Sequence, residues 1–348
     1  MLNMPENIDA AIITGDTNRR YYTGFKSSAG TLLVTREKCY FIIDFRYYEA
    51  AKQQVKDCEV ILQSRLFDQL NGLIEKHKIK NIGVETGYLT ISEYLRFKNC
   101  LKCEGLLMDE QLNDFIANQR RVKTQDEIDS IIKAQIITDK TFDYILNFIK
   151  PGRTEKEIAL EMEYYSRKIG SENASFDFIV VSGANSSLPH GVPTEKPVNS
   201  GDFITMDFGA IVDGYHSDMT RTVAVGSVSD KQREVYNIVL KAQLAALAKI
   251  KAGEYCVNID KAARDIISEA GYGGCFGHGL GHGVGLEIHE EPRFNSAYFV
   301  PCQCGEVVTV EPGIYIEGEF GVRIEDMIIV NNTGCTNITK SKKELIIL

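Results

Sequence analysis

Over roughly the first 115 residues, short apolar runs alternate with stretches of helical period, the signature of an α/β unit. Ala10–Ile13 reads as a strand, and Thr31–Val34 and Cys39–Ile43 as a hairpin around Thr35-Arg-Glu-Lys38. Tyr47–Val55 and Leu66–His77 carry helical spacing, with Val60–Leu62 a strand between them. Ile82–Val84 is a further strand and Ser92–Lys98 a further helix. Strands interleaved with helices predict a mixed or parallel sheet covered by helices. From Arg121 the texture changes. Ile128, Ile131, Ile132, Ile136, Ile145, Leu146 and Ile149 mark one face of a long amphipathic helix, which stops at Lys150-Pro151-Gly152. Thr154 with Glu157 three residues on is a capping-box pattern; it opens a helix that runs to Gly170, followed by a strand over Phe176–Val181. The layout then recurs. Ser229 with Gln232 opens a second long helix ending at Lys251-Ala252-Gly253, and another runs through Ile259, Ala263 and Ile267 to Gly271. At an offset of 101 residues, Lys150, Gly152, Ile158 and Gly170 fall on Lys251, Gly253, Ile259 and Gly271, which predicts a domain of two similar halves with its site at their junction.

The stretch Gly201–Thr222 adds a different pattern. Alternate side chains of a strand share a face, so Phe203, Thr205 and Asp207 lie together, opposite Ile204, Met206 and Phe208. Past the Val212-Asp213-Gly214 turn, Asp218, Thr220 and Thr222 share a face, opposite Met219, Arg221 and Val223. Each strand thus carries one carboxylate within an otherwise core-forming run. Either a cation holds both aspartates, because an unpaired buried carboxylate is costly, or both sit at exposed strand ends.

Composition narrows the function classes. A chain of 348 residues with 44% hydrophobic and 25% charged positions fits a two-domain globular protein. A net charge of −9 disfavours nucleic acid or an anionic membrane as partner. No apolar run reaches the ~20 residues that span a bilayer, and the first residues lack a secretory pattern, so the expected location is the cytoplasm. The nine scattered cysteines are expected to be reduced thiols. Cys100 and Cys103 with Cys302 and Cys304 make a poor zinc site, because the second pair has CxC spacing and lies in the other domain. The first domain contains no GxGxxG, GxxxxGK[ST] or GxSxG, and its expected role is structural. Its Asp44-Phe-Arg46-Tyr47 cluster is read as an internal ion pair.

Three stretches of the second domain bear on the cation. Phe276–Glu291 reads FGHGLGHGVGLEIHEE and places His278, His282 and His289, half of the six histidines, within one glycine-rich segment. Val307–Glu311 is a strand ending in a carboxylate, and Gly321–Asp326 places Glu325 in another strand, two residues after Arg323. Asp207, Asp218, Glu311 and Glu325 would repel one another and raise their own pKa values without cations. A carboxylate-rich set with one imidazole suits Mn²⁺ first, with Co²⁺, Fe²⁺ or Zn²⁺ as alternatives. Two such ions ~3.5–4 Å apart suit hydrolysis at neutral pH.

The order Asp, a second Asp eleven positions on, then His in GHGxG, Glu in VEPGIY and Glu in RIED resembles the pita-bread metallopeptidases (family M24), which include methionine aminopeptidase, aminopeptidase P and prolidase. The resemblance covers essentially the whole chain. It implies a creatinase-type α/β amino-terminal domain over residues 1–117 and an α+β, pseudo-twofold pita-bread catalytic domain over 118–348. It further implies two divalent metal ions held by Asp207, Asp218, His282, Glu311 and Glu325, with Asp218 and Glu325 bridging and Glu311 the general base. His190, in Ser187-Leu-Pro-His-Gly-Val-Pro193, would contact substrate and help protonate the leaving nitrogen, and His289 would stabilise the developing oxyanion. His278 would line the proline pocket, or be structural. Thr220 and Arg323 would hold the bridging carboxylates; an ion pair is the simpler account of Arg323. Arg293 matches a position where prolidases bind a dipeptide carboxylate, against the alternative of an ordinary exposed arginine. The implied activity is that of an Xaa-Pro dipeptidase, with an Xaa-Pro aminopeptidase on longer peptides as the alternative and a non-catalytic peptide-binding module less favoured. A proline-containing di- or oligopeptide is the implied substrate, and a homodimer the implied assembly.

Overall fold

A computed structural model describes residues 4–348, which form two compact units, one ending at Arg120 and one running from Arg121 to Leu348. In the first unit the chain runs β1 (Ala10–Ile13), α1 (Asp16–Thr23), β2 (Thr31–Thr35), β3 (Cys39–Ile43), α2 (Phe45–Gln54), β4 (Glu59–Leu62), α3 (Leu66–His77), β5 (Asn81–Val84), α4 (Ile91–Cys100) and β6 (Gly105–Leu107), and α5 (Gln111–Arg121) leads out of it. The six strands make one mixed sheet in the order β4-β3-β2-β1-β5-β6. The apolar runs of β1, β2 and β3 are buried on both faces, which is why they read as continuous rather than alternating. Asp44 caps α2 by accepting from the Arg46 N–H and pairs with the Arg46 guanidinium at 2.7 Å, an ion pair at the surface.

One expectation is corrected here. Cys39 and Cys58 form a disulfide, with Cα atoms 4.5 Å apart, so not all nine thiols are reduced. The pairing is non-local: β3 and β4 are parallel neighbours joined through α2, and this crossover brings the end of the loop before β4 beside the start of β3.

The second unit starts with α6 (Gln125–Ile145) and α7 (Glu155–Lys168), both opened by capping boxes, then β7 (Ile179–Ser182) and β8 (Phe203–Phe208). A two-residue hairpin, β9 (Ile211–Val212) and β10 (Tyr215–His216), turns through Asp213 and Gly214 at φ 53° and 85°, as a type I′ turn requires. It leads into β11 (Met219–Ala224), α8 (Asp230–Lys249), α9 (Cys256–Glu269), β12 (Gly281–Gly283), β13 (Glu290–Phe294), β14 (Val307–Val310), β15 (Gly313–Ile316), β16 (Phe320–Arg323), β17 (Asp326–Val330) and β18 (Cys335–Asn337).

The internal repeat extends to individual hydrogen bonds. Gly152 donates to Val198 O and Val198 to Arg153 O, at 2.9 and 2.8 Å; Gly253 donates to Cys302 O and Cys302 to Glu254 O, both at 2.9 Å. Each half then supplies an antiparallel pair, β8 with β11 and β14 with β17. Sliding Phe203 onto Val307 carries Asp207 onto Glu311, so each half delivers an acidic residue at the end of its first strand. Phe142, Ile158, Met206 and Val223 belong to one core, and Val239, Ile259, Val308 and Ile328 to the other. Among the described residues, no helix is long and apolar enough to cross a membrane.

Candidate active site

The two strand pairs converge on one cavity of about 440 Å³, which every histidine of the glycine-rich segment lines. Asp207 sits on β8 directly opposite Thr220 of β11. Asp218 lies just before β11 and is 4% exposed. Glu311 follows β14, fixed by its N–H donating to Leu280 O at 2.8 Å. Glu325 lies in the break between β16 and β17 rather than within a strand, with its N–H on Thr220 O at 3.1 Å; the expectation of a strand position is corrected accordingly. His282 is the middle residue of β12. Its flanking glycines have a steric cause: a Cβ at Gly281 would stand 2.1 Å from Thr309 O, and one at Gly283 2.2 Å from Glu291 O.

Asp218, His282 and Glu325 offer donor atoms that all lie within 4.8 Å of one another, and His282 Nε2 is 3.4 Å from Glu311 Oε1 and 3.6 Å from Asp218 Oδ2. Asp207 is turned to Arg323, whose guanidinium donates to Oδ2 at 2.7 Å, while its Oδ1 is buried without a hydrogen-bond partner among the described residues. Arg323 also donates to Thr220 Oγ1 at 2.9 Å, and the Thr220 hydroxyl donates to Glu325 Oε2 at 2.7 Å. Thr220 and Arg323 therefore hold carboxylates of both halves.

The electrostatics are those of a site built for cations. Burial raises the Asp218 and Glu325 carboxyls well above the ordinary range, with the Glu325 charge adding to it at Asp218 and the Asp207 and Glu311 charges at both. Burial, with the Asp207 charge, pushes Glu311 up to about 8. Burial lowers His282 to about 3, with His289 adding to it, so its ring is neutral. Its Nδ1 faces Gly283 O at 3.1 Å; a carbonyl only accepts, so Nδ1 carries the proton. Nε2 then presents a lone pair to two carboxyl oxygens, a contact that needs a proton or a cation between them. This donor set, with the orphaned Asp207 oxygen, fits divalent metal ions bound mostly through oxygen.

His278, His289 and His190 line the same cavity, with Arg293, Phe176, Ile179, Ile288 and Phe294. Burial lowers His278 to about 4, with the Arg323 charge adding to it. Its Nδ1 donates to Gly279 O at 2.8 Å, so its Nε2 accepts from the Tyr315 hydroxyl at 2.9 Å, which in turn accepts from Arg323 at 2.8 Å. His289 is lowered by burial and by Arg293, and its ring centroid is 4.4 Å from that of His282. Arg293 is paired with His282 across β12 and β13, and its guanidinium is 37% exposed, 3.8 Å from Glu291. All eleven sequence-predicted positions thus surround one space or touch its walls. Tyr315 was missed, although it sits in the VEPGIY run that singled out Glu311; a tyrosine on a short strand gives no sign that its hydroxyl will join an arginine to a histidine.

Comparison with known proteins agrees with this geometry. The profile of metallopeptidase family M24 matches residues 129–332, and that of the creatinase/prolidase N-terminal domain matches residues 5–122. The Xaa-Pro dipeptidase of Pyrococcus furiosus is 38% identical, over 99% of this chain and 97% of its own. Among solved structures, an Xaa-Pro dipeptidase from Bacillus anthracis superposes with a TM-score of 0.94 at 45% identity, covering 98% of this chain and 95% of that one. An X-Pro aminopeptidase from Thermotoga maritima does so with a TM-score of 0.91 at 38% identity, covering 98% of each. The chain belongs to metallopeptidase family M24, with a creatinase-type amino-terminal domain.

Proposed function

We propose that this peptidase hydrolyses Xaa-Pro dipeptides. The observation that carries the reading is the placement of Arg293 on the wall of the cavity that holds the acidic cluster and four of the six histidines. A dipeptide brings its own carboxylate one residue from the scissile bond, and the partly exposed Arg293 side chain, whose ion-pair partner among the described residues is Glu291 at 3.8 Å, can take it in charge-assisted hydrogen bonds. The names of the Pyrococcus and Bacillus relatives support the same substrate.

Asp207, Asp218, His282, Glu311 and Glu325 would hold two divalent ions, Mn²⁺ by the oxygen-rich chemistry of the set. When bound, these ions supply Lewis-acid polarisation of the scissile carbonyl and activation of water. The protein's own residues do the rest. Glu311, ionised beside the cations and within the cavity, can accept a proton from the attacking water and pass it on. His289 is kept neutral by burial and can donate an N–H to the carbonyl oxygen as charge develops there. A prolyl amide nitrogen carries no hydrogen, so it must gain a proton to leave, and His190 at the exposed side of the cavity is placed to supply it. His278 and Phe176, with Ile179, form an apolar wall against which a pyrrolidine ring can pack.

The test is hydrolysis of Ala-Pro and Arg-Pro-Pro, with Mn²⁺ and after chelation. Mn²⁺-dependent cleavage of Ala-Pro is the expected result; failure on both peptides with metal bound would remove the proline specificity. Arg293→Ala should raise KM for Ala-Pro by about 10–100-fold, the worth of a hydrogen bond to a charged group, while Ala-Pro amide, which lacks the carboxylate, should be hydrolysed as by the parent. Equal effects on both substrates would leave Arg293 without that role. Action on longer Xaa-Pro peptides is the second reading. It is favoured by Phe176, which borders both the cavity and a neighbouring groove walled by Leu160, Phe178 and Pro193. His289→Ala should lower kcat on either substrate by about 10²–10³-fold with KM little changed, as for loss of one oxyanion donor; a proportionate rise in KM would place His289 in ground-state binding instead.

A further inference from the structure

Glu155, the first residue of α7, is fully buried. No cation is hydrogen-bonded to it among the described residues. Its carboxylate is satisfied instead by one segment of chain. Oε1 accepts from Ser182 N–H at 2.7 Å and Ser182 Oγ at 2.9 Å; Oε2 accepts from Thr194 N–H at 3.0 Å and Thr194 Oγ1 at 2.6 Å. The Asn185 side-chain amide spans both oxygens at 3.1 and 3.2 Å. The positive charge nearest along this network comes one hydroxyl away, through Lys196 Nζ donating to Ser182 Oγ at 2.9 Å. Ser182 and Thr194 are the two ends of the loop that carries His190. The imidazole of His190 has no hydrogen-bond partner of its own among the described residues, so its position is set by the loop backbone.

The repeat supplies a second, independent observation. At the 101-residue offset, Glu155 falls on Cys256, the first residue of α9. The backbone around the two positions is the same: Glu155 N–H donates to Lys196 O at 3.1 Å, and Cys256 N–H to Val300 O at 3.0 Å. A helix can therefore start here, in this setting, on a thiol. The carboxylate is present in the half whose following loop, 182–194, carries His190; the other half presents His282 on β12 and His289 directly before β13. A role as a favourable charge at the helix start does not account for that difference, nor for six contacts directed at the loop ends.

We propose that Glu155 is a positioning residue for His190: one buried carboxylate staples both ends of the 182–194 loop and fixes where the imidazole meets the leaving nitrogen. The inference rests on the role given to His190 above. A misplacement of about 1 Å at a catalytic group can cost 10²-fold in rate; the loop also meets Arg323, which donates to Pro189 O at 3.1 Å, so the His190→Ala background below separates a loss carried by His190 from one carried by Arg323. Glu155→Gln keeps the size but points an amide NH₂ at donors on one end of the loop. Asn185→Ala removes only the bridging amide and leaves the buried carboxylate and both backbone contacts.

The test uses the full-length, Mn²⁺-loaded protein. Backbone hydrogen exchange is read over 183–193 in both variants, and Ala-Pro turnover is read in each variant alone and combined with His190→Ala. Expected are exchange over 183–193 at least about tenfold faster with the core of α7 unchanged, as for release of a local unit. In turnover, Glu155→Gln should lower kcat by about 10²-fold, and Asn185→Ala by several-fold, with KM and metal content held. In the His190→Ala background both losses should shrink to within about threefold, the mark of coupled sites. Unchanged exchange over the loop, or the same loss of turnover with and without His190, would overturn the proposal. Should Glu155→Gln fail to fold, Asn185→Ala decides by the same two readouts. The exchange arm is independent of substrate, so a parent protein inactive on Ala-Pro would count against the dipeptidase reading and leave the staple to be judged by exchange.

Discussion

Asp218→Asn is expected to lower Mn²⁺-supported turnover of Ala-Pro by about 10³-fold or more, and to leave the chelated protein as stable as the parent or more so. The first effect follows from the place of Asp218 within 4.8 Å of the His282 and Glu325 donors. Metal polarisation of a carbonyl is worth several kcal/mol of barrier, and each 1.36 kcal/mol is tenfold in rate. The second effect runs against the usual cost of changing a buried residue. Without a cation, Asp218 faces the Glu325, Asp207 and Glu311 charges in a buried setting that already raises its pKa, so an isosteric neutral amide removes repulsion rather than attraction. Activity on Ala-Pro and thermal unfolding in chelator and in Mn²⁺ check both halves. The parent should gain about 5–10 °C from Mn²⁺ at a hundredfold excess over Kd, since that excess adds about 2.7 kcal/mol and a unit of this size moves 2–4 °C per kcal/mol. The variant should gain much less. A variant that keeps the full Mn²⁺ shift would exclude Asp218 from the metal site.

The parts of the site that alternation can reveal were legible in the sequence. Asp207 interrupts an apolar strand, Asp218 directly precedes one rather than lying within it, and the opposition of Asp207 to Thr220 follows from a tight Asp213-Gly214 hairpin whose composition dictates its turn. The glycines at 152, 170, 253 and 271 all adopt positive φ, which is why the repeat could be read from them. Long-range pairing was not legible. Cys39 and Cys58 meet because a crossover helix returns β4 to β3, and nothing in their spacing of 19 encodes that. Glu325 sits in a strand-like run, yet the chain breaks between β16 and β17 to give its N–H to Thr220. α1 and β6 went unread because they are short, eight and three residues, and are held by packing in the first unit. Glu155 was hidden by its neighbour: Thr154 with Glu157 explains a helix start so completely that the acid between them passes for surface charge.

Removing metal should make stability fall with rising pH between about 6.5 and 8, and restoring Mn²⁺ should abolish the fall. The sign follows from which state holds more protons. Asp218, Glu311 and Glu325 have folded pKa values raised above their ordinary ones, Glu311 from 4.5 to about 8. Between those values the folded state binds more protons than the unfolded one, so each added pH unit costs stability, to a total of a few kcal/mol at one unit of pKa per ~1.4 kcal/mol. The histidines act in the opposite sense and lower down. His282 and His278 are lowered from 6.5 to about 3 and about 4, so they withhold stability below 6.5 and contribute no slope above it. Asp326, held below its ordinary value by Arg221 and Lys343 against the effect of burial, is ionised in both states throughout this range. Glu306, outside the cluster, is also raised by burial, but it contributes alike with and without metal, so the difference between loaded and chelated protein above pH 6.5 isolates the acidic cluster. Bound cations keep those carboxylates ionised in the folded state and cancel the proton difference, so the gap between Mn²⁺-loaded and chelated melting temperatures should widen as pH rises. Thermal melts at half-unit steps from pH 6.5 to 8.5 measure it. A gap that is constant or narrows across this range would mean that the four carboxylates do not share a site whose charge the metal neutralises.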